Sequence, residues 1–207
     1  MAKKRRKLQN AVLFHHPDAV DTSCPRLMGR HAAGEGFLKA FLRHSGVNGF
    51  HGLGFEQSHF DDFQSRIGAL DDQNRPCHWV GLGDMAGAGP STLMLPDPSL
   101  APFAWRRRGI GNRGYSLCGL NHTIASEKIM DGFGDLMTAP LQLWDALICT
   151  SQPVKATITR IFDNWGDYLN QRTGGKIKPA IQLPVIPLGV DYDAYAVRRI
   201  VGEVSGL

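Results

Sequence analysis

Long apolar runs are the first thing this sequence lacks. None approaches the roughly 20 residues that a membrane-crossing helix needs, and none follows the basic start closely enough to act as a secretory signal. The expected location is therefore the cytoplasm. Cysteine is scarce too. Cys24, Cys77, Cys118 and Cys149 are scattered, without the C-x-x-C spacing of a structural zinc site or a redox pair. Reduced, mostly buried thiols are expected, and with no metal-ligand cluster in sight no metal is assigned. A broad surplus of one charge is also missing. The net charge is +4, and Lys3, Lys4, Arg5, Arg6 and Lys7 alone carry five positives, so the remainder is close to neutral. That argues against a general affinity of the globular part for polyanions, and nucleic acid is not an expected partner of it. The basic tail is either a solvated terminus or a contact for nucleic acid or an anionic membrane surface, where each basic residue contributes about 1 kcal/mol. Peripheral membrane contact is the functional alternative to plain solubility.

What is present suits one globular unit. Of 207 residues, 43% are hydrophobic and 20% charged, which is enough apolar material for one core and too much for a disordered chain. The most organised stretch is 145–191. Ala146-Leu147-Ile148-Cys149 is too short for a helix and reads as a buried strand that passes into Thr150 and Ser151, either of which can cap a following helix. Over residues 154–171, Val154, Ile158, Ile161, Phe162, Trp165 and Leu169 recur three or four apart, and Gly174-Gly175 stops the pattern. A second strand follows over 183–191, where Pro184 and Pro187 suit an edge position. Strand, helix, strand in this order predicts a right-handed crossover onto a parallel sheet.

Earlier in the chain, residues 11–15 are expected to form a first strand, ended by His16-Pro17, and residues 49–53 a second. Between them, Gly29, Arg30, His31, Gly34, Glu35 and Gly36 read as a long glycine-bearing loop entering a helix at Glu35. Backbone N–H groups at such a place can meet an anion or a diphosphate, although the spacing is not G-x-G-x-x-G. The plain alternative is a loop whose glycines only satisfy turn geometry. Residues 57–70 are expected as a helix with Phe60, Phe63, Ile67 and Leu70 inward, and Asp61-Asp62 and Asp71-Asp72 as solvated faces. Residues 91–95 allow a short strand. The cluster Phe103-Ala104-Trp105-Arg106-Arg107-Arg108 puts cations beside aromatics, either to stack on and neutralise a phosphate-bearing acceptor or as a surface turn. Residues 115–120 form a further strand ending in Asn121-His122-Thr123. A histidine just past the carboxyl end of a parallel strand lies where open α/β sheets hold ligands, and its near-neutral pKa suits hydrogen bonding or proton transfer to a ligand. The alternative is a structural histidine bonded to a loop. Ser126 or Thr123 can cap a helix over 127–137. The alternation predicts a single Rossmann-like, doubly wound parallel sheet.

Ile148-Cys149-Thr150-Ser151, the helix after it, Val185-Ile186-Pro187-Leu188-Gly189-Val190-Asp191 and the strand that ends in His122-Thr123 together resemble the N-terminal domain of a family 4-type glycosyltransferase with the two-domain GT-B fold. The resemblance implies one half of that fold, with residues 1–10 a basic tail, 11–191 the Rossmann-like domain and 192–207 the start of a linker to a second, donor-binding domain. It implies transfer of a sugar, with retention, from a nucleotide-sugar to an acceptor hydroxyl that is a sugar or lipid-linked. His122 would contact the sugar or acceptor and is the catalytic candidate. Gly29, Arg30, Gly34, Glu35 and Gly36 would flank the diphosphate side of the cleft, and His31, Arg106, Arg107 and Arg108 would serve the acceptor. No cofactor beyond the nucleotide-sugar donor is implied. Activity is expected only when a second domain or chain supplies donor binding. Two rivals stand beside this reading: a non-catalytic module that docks a partner through an apolar patch near 185–195, and a nucleic-acid-binding protein that uses its basic segments.

Overall fold

A computed structural model describes residues 10–23 and 29–189. The basic residues 3–7, Cys24, Val190, Asp191 and the expected linker over 192–207 lie outside the described residues. Six strands form one all-parallel sheet: β1 (Val12–Phe14), β2 (Phe50–Leu53), β3 (Cys77–Trp79), β4 (Thr92–Leu95), β5 (Ser116–Asn121) and β6 (Ala146–Cys149), in the order β3-β2-β1-β4-β5-β6. Helices α1 (Gly29–His44) and α2 (Gln57–Leu70) connect β1, β2 and β3. Helices α3 (Ala101–Ile110) and α4 (Glu127–Thr138) connect β4, β5 and β6, and α5 (Gln152–Thr173) follows β6. The sheet thus winds outward in both directions from the β1/β4 pair, which makes it a Rossmann-like doubly wound fold.

Burial on both faces explains why the strands read as unbroken apolar runs. Along β1 and β4 successive residues serve opposite cores. Val12, Leu93 and Leu95 pack with Phe103, Phe133, Ile158 and Phe162 of α3, α4 and α5. Leu13 and Met94 pack with Leu38, Leu42, Phe63 and Ile67 of α1 and α2. A one-residue slip of either strand would exchange the two sets.

The organised stretch folds nearly as its pattern reads. Ser151 is the N-cap of α5 and its Oγ accepts from the Val154 N–H at 3.3 Å, while Gly174 ends the helix with φ of 72°. The segment after α5 then returns alongside β6. It forms isolated parallel bridges, Ala146 with Gln182 and Cys149 with Val185, in place of the full strand expected over 183–191. Pro184 lacks an N–H but still offers its carbonyl to Cys149 N at 2.8 Å, so the ladder is intermittent.

Two charged residues depart from their expected solvated roles. Asp71 is 6% exposed and accepts both Nε (3.0 Å) and Nη2 (2.6 Å) of Arg75. The same guanidinium reaches the carbonyls of Leu42 and Val47 and stacks on Phe50 at 4.5 Å, so it ties the end of α1 to β2 and α2. Asp62 belongs to the site below. Arg107 departs further still: it is a helix residue with 0% exposure.

Candidate functional site

A parallel sheet that reverses its winding leaves a crevice outside the carboxyl ends of the two strands at the switch point, because the following connections leave toward opposite faces. Here those strands are β1 and β4. A cavity of about 630 Å³ opens at this place. Its walls combine an apolar floor, including Leu13, Phe37, Met94 and Leu120, with polar groups at the strand ends: His15 and His16 after β1, Asp97 after β4, and His122 with Thr123 after β5.

His122 therefore stands where its position after β5 predicts. Gly34 also lines the cavity, but not as part of a loop. Gly29, Arg30, His31, Gly34, Glu35 and Gly36 are the first two turns of α1, so the expected glycine loop over these residues is replaced by helix. Three glycines in eight positions lower helix propensity and hide the early start. At Gly34 the reason for glycine is packing, since a Cβ there would run into the carbonyl oxygen of Ala19. Gly29 and Gly36 are exposed and meet nothing, and Glu35 pairs with Lys39 one turn on at 3.1 Å; none of the three lines the cavity. His31 is 2% exposed, and its Nε2 lies 4.0 Å from Asp18 Oδ1, behind the wall that Asp18 contributes. For Arg30 only the backbone is described.

The arginine cluster lies elsewhere. Arg107 donates through Nη1 to Asp145 Oδ1 (2.6 Å) and through Nη2 to Oδ2 (2.7 Å), in a pair that is wholly buried. It also reaches the Tyr115 carbonyl, and Asp145 accepts the N–H groups of Leu117 and Gln142. These contacts sit just before β5 and β6, at the amino ends of the strands and away from the cleft. Arg107 is thus a structural clamp, not an acceptor contact, because a guanidinium with no exposure has no face left for a ligand. Arg106 and Arg108 are exposed on the same helix end, with Arg108 over Trp105 at 5.6 Å, and neither lines the cleft.

The sequence reading passed over the group that is best held. His15, 4% exposed, follows β1 directly, with its backbone N–H bonded to Leu53 O at 2.8 Å. Its Nε2 lies 2.7 Å from Asp62 Oδ2, and the same oxygen accepts Arg66 Nε at 2.8 Å. Burial lowers the His15 pKa below its ordinary value, against the opposing pull of Asp62. For Asp62, burial alone would raise the pKa, but the bonds from Arg66 and His15 outweigh it and hold the carboxyl below its usual range. Only the separate parts of this arrangement are visible in the sequence, not their meeting. His15-His16 sits at the carboxyl end of the first strand, and Asp62 and Arg66 are four apart on one helix face.

Burial raises the pKa of the three described thiols, Cys77, Cys118 and Cys149, with Cys118 pushed up to about 11. They are protonated at neutral pH and unsuited to nucleophilic work. Among the described residues no group of three or more His, Cys, Asp or Glu is placed to hold a metal ion, and no helix is long and apolar enough to cross a membrane.

No family model, curated protein or solved structure matches this chain. What the fold and cleft define is the class: a Rossmann-like α/β domain with a ligand-sized cavity at its topological switch point.

Proposed function

We propose that this chain is the acceptor-side domain of a two-domain, retaining glycosyltransferase of the family 4 type. It would contribute acceptor binding and cleft residues to sugar transfer from a nucleotide-sugar to an acceptor hydroxyl. The observation that carries this reading is the cavity at the β1/β4 switch point, which brings His122 and Gly34 to one wall-and-rim arrangement with His15, His16 and Asp97. Its size suits a sugar-sized ligand. An apolar floor under a few imidazoles, the carboxylates of Asp18 and Asp97 and the amine of Lys128 suits a molecule with a non-polar ring face and several hydroxyls. A donor-binding domain, in the same polypeptide or another, would close over the cleft and hold the nucleotide. The exposed Arg106 and Arg108 would serve an anionic or lipid-linked acceptor at a membrane surface, and the basic run Lys3 to Lys7 adds positive charge to the chain. Calorimetric titration with nucleotide-sugars, nucleoside diphosphates and simple glycosides tests the reading. Weak binding without turnover is expected, and His122→Ala should weaken it. Absence of binding to the whole panel would contradict it.

A second reading rests on a separate observation. Leu143 (75% exposed), Trp144, Ile186 and Leu188 present large apolar side chains around β6 and the segment that bridges to it. Such a flank suits a docking partner, and a donor-binding domain would be one. If Ile186→Asp abolishes association with a partner while ligand binding in the cleft persists, docking and binding are separate functions of the chain.

A further inference from the structure

The cleft holds one imidazole whose orientation is fixed by a carboxylate outside the cleft wall. A carboxylate can only accept hydrogen bonds, and the Asp62 carboxyl is ionised at neutral pH, so the 2.7 Å contact requires His15 Nε2 to carry the hydrogen. The neutral ring then has a bare lone pair on Nδ1. Among the described residues no group donates to that nitrogen; it is not one of the fully buried polar atoms without a partner, so it is accessible, and His15 is a lining residue of the cavity. Three contacts keep the ring from turning over: the Leu53 carbonyl pins its backbone, Phe63 packs against it at 5.3 Å, and Asp62 is itself held by Arg66, whose Nη1 reaches Val20 O at 3.2 Å. A buried imidazole held this rigidly, with one nitrogen satisfied from behind, is a preorganised acceptor on the cleft side.

We infer that His15 is a specificity-determining ligand contact of the cleft, in which Nδ1 accepts a hydrogen bond from a hydroxyl of the bound molecule, and that Asp62 is the positioning residue that sets the tautomer. The ligand class is a neutral polyol such as a sugar ring. A phosphate or carboxylate oxygen, which only accepts, gains nothing from a bare Nδ1. This selects hydroxyl-bearing parts of a ligand for the β1 side of the cleft. It rests on the sugar-binding reading above and deepens it.

The test uses the full chain, isotope-labelled with ¹⁵N, and two probes, UDP-glucose and methyl α-D-glucopyranoside. Long-range proton–nitrogen spectra of the free protein should show His15 as the neutral ring with the proton on Nε2, and Asp62→Asn should shift it toward the other tautomer. A probe that binds should move the Nδ1 resonance. His15→Gln keeps an N–H donor toward Asp62 but has no counterpart of Nδ1, and it should bind that probe about three- to tenfold more weakly, the value of one hydrogen bond. His15→Asn, which puts an amide oxygen near the Nδ1 position, should lose less. Equal affinity of wild type and His15→Gln for a probe, or a free ring protonated on Nδ1, overturns the inference and leaves the sugar-binding reading intact. If His15→Gln fails to fold, the tautomer and the Nδ1 response of the wild type decide in the same way. Failure of both probes to bind wild type overturns the sugar-binding reading and the inference with it.

Discussion

At the scale of single residues, burial decides what a charge is for. Arg106, Arg107 and Arg108 are chemically identical in the sequence, yet only Arg107 falls on the inward side of α3, where Asp145 meets it. Nothing in a run of three arginines distinguishes the buried one, since its partner is 38 positions away. Removing one member of a buried pair leaves the other unpaired, so Arg107→Met should cost roughly 3–5 kcal/mol, read as a fall in the urea midpoint. Changing Asp145 to leucine as well should not restore stability, because the Leu117 and Gln142 N–H groups would lose their acceptor. Histidines give the second prediction at this scale. His15 and His51 are both held below their ordinary pKa, chiefly by burial. Each binds its proton more readily in the unfolded chain, so stability present at neutral pH is lost as pH falls below about 6.5. The loss levels off once the folded-state pKa values are passed. A urea midpoint followed from pH 7.5 to 5 should decline, and His15→Gln should flatten part of the decline. A midpoint that rises on acidification would contradict the burial of these rings. Asp62 and Asp71, whose pKa values are lowered, add a separate loss only below the ordinary carboxylate range.

At the scale of elements, hydrophobic period and end signals are what the chain makes readable. Helix α2 has the bounds that its pattern predicts, and α5 begins at the serine and ends at the glycine that mark it. Ser151→Ala removes the cap on Val154 N and should cost about 1 kcal/mol, measured by thermal or urea unfolding; no change would mean the cap is idle. Elements were missed where local signal and tertiary context disagree. Strand β3 has only three residues, none fully buried, at the sheet edge, so it carries neither alternation nor a long apolar run. The first turns of α1 are glycine-rich, and Gly34 is there because the helix passes against Ala19, a contact 15 residues away that no local pattern announces. The basic segment 103–109 reads either as a surface turn or as a phosphate contact because its charges look solvated, and it is helix, with Phe103, Ala104 and Arg107 on an inward face.

At the scale of the molecule, alternation of strands and helices was enough to give a doubly wound sheet, while strand order was not readable and had to come from the structure. That order matters most, because it puts β1 beside β4, pairing Val12 with Leu93, and so makes one cleft from the ends of strands far apart in the chain. The position of His122 at the cleft was legible because it follows from its own strand. The His15–Asp62 pair was not, because it needs the α2-over-β1 packing that joins positions 47 apart. Ligand binding in this cleft is read most directly by backbone and imidazole chemical-shift mapping of the full chain with UDP-glucose and with a simple glucoside. Shifts are expected to concentrate at His15, Gly34, Asp97 and His122, with Arg106 and Arg108 unmoved. Shifts centred on Arg106 and Arg108, at the amino ends of the strands, would contradict binding in the cleft.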